Sequence, residues 1–200
     1  MPDPDQNQEK KLSSALSSLT ALHRDCGGVL EVVAIGERAI PALKELLFER
    51  EPSGLYQVRC RAVQALGMIG AFDVIEEFLR RSKPADDPVE RVGDDAVISA
   101  AALAMARKGD LRTFTILRGL ASRRPLIGVI SALASYQRCE AVPVLINALG
   151  EDECRHAAES ALLSLGSRIG RQLLEATDCF KVSEPSFVVG RHIAQAHARR

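Results

Sequence analysis

Along residues 58–70, Val58, Ala62, Ala65, Leu66 and Ile69 recur at helical spacing among polar residues, which predicts a helix with one buried stripe. Gly70 follows as a stop, because glycine enters the left-handed conformation without a Cβ clash. Phe72, Val74, Ile75, Phe78 and Leu79 then mark a second helix. The pattern returns from Gly70 to Gly109, with Val97, Ala101, Ala104 and Met105 ahead of the glycine and Phe114, Ile116 and Leu117 after it. A further copy carries Val129, Ala132, Leu133 and Tyr136, then Val142, Val144 and Leu145. Another carries Ala158, Ala161, Leu162 and Leu165 before Gly166, then Ile169, Leu173 and Leu174. Upstream, Gly36 ends a helix and Ala39 to Leu47 begin the next, matching Ala141 to Leu149. Both of these segments place a proline, Pro41 or Pro143, where a first helical turn has no N–H partner to lose.

Val-Arg-x-x-Ala-x-x-Ala-Leu-Gly-x-Ile-Gly at 58–70 and Ala-Val-Pro-x-Leu-Ile-x-Ala-Leu at 141–149 resemble the short bacterial HEAT repeats, also called phycobilisome-lyase-type or HEAT-like repeats. The resemblance runs over roughly residues 28–177. It implies an all-α fold: a right-handed α-solenoid of about five helix pairs, each inner helix lining a concave groove, with an N-terminal capping helix. Two positions depart from the family pattern. Ala104-Met105-Ala106 stands where Ala-Leu-Gly is typical, and Gln137 stands where a glycine is typical.

Outside the repeats, residues 1–26 read as a frayed polar start followed by a capping helix from Lys10 to Leu22, with Leu12, Leu16 and Leu19 on one stripe. The repeats occupy 27–177. Residues 178–200 form a C-terminal extension, with a last helix expected over Ser186 to Ala198. Lys83 to Asp95, with two prolines and five acids, reads as a solvated loop inserted between repeats.

Composition narrows the function classes. Hydrophobic residues make up 46% of the 200, aromatics 4%, and there is no Trp; the core is therefore aliphatic and suits helices at close range. Lys+Arg and Asp+Glu are 26 each, which removes the cationic surplus a dedicated nucleic-acid binder needs. Cys26, Cys60, Cys139, Cys154 and Cys179 contain no Cys-x-x-Cys pair and fit a reducing compartment. The N-terminus lacks a basic and apolar leader, and no apolar run approaches the ~18 residues of a membrane span. These features point to the cytoplasm and away from a membrane.

On 58–70 the face opposite the buried stripe carries Cys60, Gln64 and Gly67, with Arg61 and Met68 at its margin. The matching positions downstream are Ser99 and Leu103, Ile127 and Ser131, and His156 and Ser160. This row is small and mostly neutral. It suits a docked peptide or helix of another protein and suits a phosphate backbone poorly. Arg61, Gln64, Ser99, Leu103, Ile127, Ser131, His156 and Ser160 are the candidate partner-binding residues.

Basic clusters at Arg80 to Lys83, Arg107-Lys108 and Arg118 to Arg124 lie near helix C-termini, where cations complement the dipole; an anion-binding edge is the other reading. Arg59 and Arg155 hold equivalent places in two repeats, which predicts bonds to neighbouring loop carbonyls or acids.

No catalytic set emerges. His23, His156, His192 and His197 are never followed by Glu, which removes the His-Glu iron ligands of some related folds. His192 and His197 are five apart and diverge on a helix, and so do Cys154 and His156, two apart. No enzyme, cofactor or metal site is expected. The resemblance also implies a bilin-lyase-like, chromophore-handling subunit as an alternative, and the edge Arg/Lys clusters give a second alternative, a nucleic-acid or anion binder.

Overall fold

The computed structural model describes residues 4–21, 27–49, 56–83 and 85–165. Among these the chain is all-helical and contains no strand. The α-helices are α1 (Pro4–Thr20), α2 (Gly27–Ile35), α3 (Ile40–Phe48), α4 (Tyr56–Ile69), α5 (Phe72–Arg81), α6 (Pro88–Ala106), α7 (Leu111–Arg123), α8 (Ile127–Ala134), α9 (Val142–Ala148) and α10 (Arg155–Ser164). No helix among the described residues is long and apolar enough to cross a membrane. The expected repeat end at Gly166, its partner helix and the C-terminal helix at 186–198 lie outside the described residues.

The expected glycine stops take the left-handed backbone: Gly36, Gly70 and Gly109 have φ of 74°, 92° and 70°. Gln137 holds the same corner with φ 48°, although a side chain there is strained by about 1–2 kcal/mol. Its N–H bonds the Ala134 carbonyl at 3.0 Å, as that of Gly109 bonds Ala106 at 3.2 Å. The turn geometry is therefore kept where the sequence departs from glycine.

Two starts differ from the sequence reading. The first helix begins at Pro4 rather than at Lys10. The Lys83 to Asp95 stretch is no long loop, because helix α6 begins at Pro88. Asp87 caps it, accepting bonds from the N–H groups of Val89 (2.8 Å) and Glu90 (3.0 Å). Asp-Pro here is an N-cap followed by the proline-tolerant first position, and the connector shrinks to a few residues.

The chain divides into two compact units, Met1–Met105 and Ala106–Arg200. In the first, α1 packs on α2 so closely that a Cβ on Gly28 would lie 2.7 Å from the Ser18 carbonyl carbon and oxygen. Glycine is required there by space alone. Helix α4 packs on α2, α3 and α5. It meets α6 where Gly67 lies 3.1 Å, measured from an added Cβ, from the Ala104 Cβ. Leu19, Val32, Leu43, Leu47, Leu66, Ile75 and Ile98 are buried in this unit. In the second unit α7 packs on α8 and α9, and α10 packs on both of those. Leu117, Ile130, Leu133, Leu145, Ile146 and Leu162 are buried there, and the Tyr136 ring lies against Phe114 at 5.5 Å.

One junction occurs in both units. A short 3-10 turn ending at Ala39 or Ala141 leads into a helix with proline in its first turn. An arginine of the next helix then reaches back to the end of that one. Arg59 Nε donates to the Leu47 carbonyl at 3.0 Å, and Arg155 Nε donates to the Leu149 carbonyl at 3.2 Å. Leu47 and Leu149 are the same position of the matched segments, so the expected arginine–carbonyl bond forms between equivalent residues twice.

Candidate functional site

Helices α2, α4, α6 and α8 each precede a left-handed corner, and one exposed position recurs on them and on α10. Gln64 lies six residues before Gly70, Leu103 six before Gly109, Ser131 six before Gln137 and Ser160 six before Gly166. Each of these side chains is exposed. Leu30, six residues before Gly36, is exposed too. It was absent from the sequence-derived row, yet the spacing to Gly36 identifies it. One turn earlier, Ile127 and His156 are exposed, while Cys60 and Ser99 are half-buried.

Two residues leave the row. Gly67 is buried rather than facing solvent, because α6 closes over it at Ala104. Arg61 is committed: its Nη1 donates to the Leu19 and Ala21 carbonyls, both at 2.8 Å. Those carbonyls are orphaned where α1 ends, so Arg61 satisfies backbone groups that a helix C-terminus leaves open. In the first unit the face comprises Leu30, Gln64, Met68, Ser99 and Leu103. In the second it comprises Ile127, Ser131, His156 and Ser160.

The thiols of Cys60 and Cys154 are poorly suited to nucleophilic chemistry. Cys60 is pushed above the usual thiol range by burial, against a smaller opposing effect of Arg59. Cys154 is raised by burial and by Glu153 and Glu151. Both thiols therefore remain protonated near neutral pH, and a protonated thiol is a weak nucleophile. The His156 ring has Glu159 as its nearest acid, 3.8 Å from Nδ1. Among the described residues, no group of three or more His, Cys, Asp or Glu is placed to hold a metal ion.

Most members of the basic clusters are tied into the fold. Arg80 pairs with Glu76 at 2.6 Å and Arg81 with Glu77 at 2.9 Å. Lys108 pairs with Asp110 at 3.2 Å, and Arg123 donates to the Gly119 carbonyl at 3.2 Å. Arg118 and Arg138 lie over the Phe114 ring at 6.0 and 5.2 Å. A cleft of about 180 Å³ lined by Phe48, Phe78, Arg59 and Arg81 also contains Asp94. Arg59 and Asp94 pair at 2.8 Å with side chains 12% and 6% exposed, so the cleft's most buried cation is already neutralised. A wider cleft of about 500 Å³ between α1 and α2 has Leu12, Ala34 and Ile35 along it. Glu9, Lys11 and Arg38 also line it and give it both signs of charge.

Compared with protein-family models and with curated protein sequences, the chain matches none.

Proposed function

We propose that this chain is a non-catalytic adaptor or scaffold that binds another protein, or a peptide of one, on the exposed face of its inner helices. In this reading the helices form a right-handed HEAT-like α-solenoid of about five pairs, and the exposed positions line its concave side. One observation carries the reading: the residue six before each left-handed corner is exposed on α2, α4, α6 and α8, the matching Ser160 of α10 is exposed too, and none of the five is charged. A surface needed only for solubility would be filled with Lys and Glu. Leu30 and Leu103 occupy it instead, with Ile127 and Met68 beside it. The free thiols of Cys60, Cys139 and Cys154 suit a cytoplasmic setting.

Affinity capture with the wild-type chain and with a Gln64→Arg, Ser131→Arg variant tests the proposal. Both positions are exposed, so the variant keeps its helical circular dichroism. The expected result is loss of a specific partner from the variant alone. Equal capture by both forms removes the face as the binding site.

A further inference from the structure

Helix α6 is the longest of the described helices, and its length carries its exposed face past Ser99 and Leu103 to Val92 and Val89. Val89, Val92, Ala96, Ser99 and Leu103 follow one another at intervals of three or four residues, so they share one side of the helix. From Val89 to Leu103 the line extends about 21 Å at 1.5 Å per residue. The opposite side, with Val97, Ile98, Ala101, Ala102 and Met105, is buried. Val89 is 77% exposed, Val92 66% and Leu103 48%. Val89 and Val92 lie open on adjacent turns, with Ala96 and Ser99 half-buried between them and Leu103, and neighbouring exposed apolar side chains of this kind mark interaction sites.

Acids predominate along this stretch of the helix. Asp86, Asp87 and Glu90 are exposed at its N-terminal end, and Asp95 is half-buried beside it. Arg91 is the sole cation from residue 86 to 103. Its guanidinium turns back onto the chain, donating to the Ala85 carbonyl at 3.0 Å and the Asp86 carbonyl at 3.2 Å. The Asp94 charge is taken by Arg59. Along residues 86–103 acids outnumber cations five to one, and Asp86, Asp87 and Glu90 are exposed at the end of the helix that carries Val89 and Val92.

We infer that the exposed face of α6, around Val89 and Val92, docks a basic amphipathic helix of a partner protein. This rests on the protein-binding reading above and specifies the partner's chemistry. Residues spaced by three and four form a ridge that another helix can pack against. The acids then select Lys and Arg on the partner's flanks and repel acidic competitors. One helix face of this length falls short of the ~1,200 Å² that a stable protein interface buries in total, so it suits a single inserted helix better than a second folded copy.

The test uses the full chain and a fluorescein-labelled peptide about 18 residues long, with Leu and Lys at helical period, beside a twin carrying Glu for Lys. Fluorescence anisotropy is expected to show binding of the Lys peptide and at least about tenfold weaker binding of the Glu twin. Val89→Ser with Val92→Ser, both on exposed positions, should weaken the Lys peptide by about tenfold. Asp86→Asn with Glu90→Gln should weaken it by about threefold and flatten its salt dependence. Equal affinity for the two peptides, affinity untouched by the double-serine change, or no binding overturns the inference. Dimers in sedimentation that vanish in the double-serine variant also overturn it, since a second copy is then the occupant. If the Gln64→Arg, Ser131→Arg variant loses its captured partner while the Lys peptide ignores Val89 and Val92, this inference falls and the broader reading stands. If the peptide depends on Val89 and Val92 while partner capture ignores Gln64 and Ser131, the α6 face stands and the repeating row falls.

Discussion

In the first unit Arg59 reaches back to the Leu47 carbonyl and across to Asp94 on α6; in the second, Arg155 reaches back to the Leu149 carbonyl and only as far as Asp152, three residues away. The carbonyl bond is common to both junctions. The acid differs in burial: Asp94 is 6% exposed and Asp152 is 90% exposed. Arg59 also stacks over Phe78 at 5.6 Å. One arginine therefore links its own helix to three others, and the other only seats one helix against its predecessor. The repeated element is the arginine–carbonyl bond, and the energetic weight comes from whatever acid the next helix supplies.

Breaking the two arginines separately gives the largest contrast. Arg59→Met removes the guanidinium from a buried carboxylate and should lower stability by about 3–5 kcal/mol, the cost of breaking a buried pair. Arg155→Met loses one exposed pair and one backbone bond, about 1 kcal/mol. Urea unfolding followed by circular dichroism reads both, and equal losses would refute the contrast. Restoring an apolar pairing with Arg59→Met and Asp94→Leu should recover most of the first loss.

The turns sharpen the same comparison on a smaller scale. Gly70 and Gln137 hold equivalent left-handed corners. Gln137→Gly should raise stability by about 1 kcal/mol by relieving the side-chain strain, and Gly70→Ala should lower it by a similar amount. A thermal-melt series on the single variants measures both. If Gln137→Gly is destabilising, its side chain contributes more than its backbone costs.

The smallest effect concerns the residue after each glycine. Asp110 caps α7, accepting a 2.7 Å bond from the Thr113 N–H. Ala71, its equivalent before α5, offers no side-chain cap. The backbone bond from Thr113, chiefly, holds Asp110 down to a pKa of about 2, with further help from the Thr113 side chain and Lys108. Its folded value lies below its unfolded one, so its contribution is present above the ordinary aspartate range and is lost as pH falls toward 2. Acid should fray the start of α7 through this group. Hydrogen exchange of the Thr113 amide from pH 5 to about 2 checks this, with Asp110→Asn expected to flatten the profile.

The helix pairs, their turns and the arginine junctions were legible because each rests on local signals: apolar period, glycine corner and proline start. Three features were not. The acids and prolines of 83–95 read as a loop, yet Asp94 is stabilised in the interior by Arg59, thirty-five residues earlier, which local composition cannot show. Gly67 projects onto the open side of α4, but a glycine offers no side chain to hold a neighbour off, and Ala104 covers it. Arg61 sat in the binding row until the carbonyls of Leu19 and Ala21 claimed it. Leu30 was readable in principle, by counting six residues back from Gly36.

The most direct test of the binding face is site-specific photocrosslinking in cells. A benzophenone amino acid is placed in turn at Gln64, Leu103 and Ser131, and at two exposed positions on other helices, Glu45 of α3 and Thr115 of α7. The account predicts an adduct of one defined mass from the first three positions and none from Glu45 or Thr115. Adducts from the control positions with none from the row would contradict it.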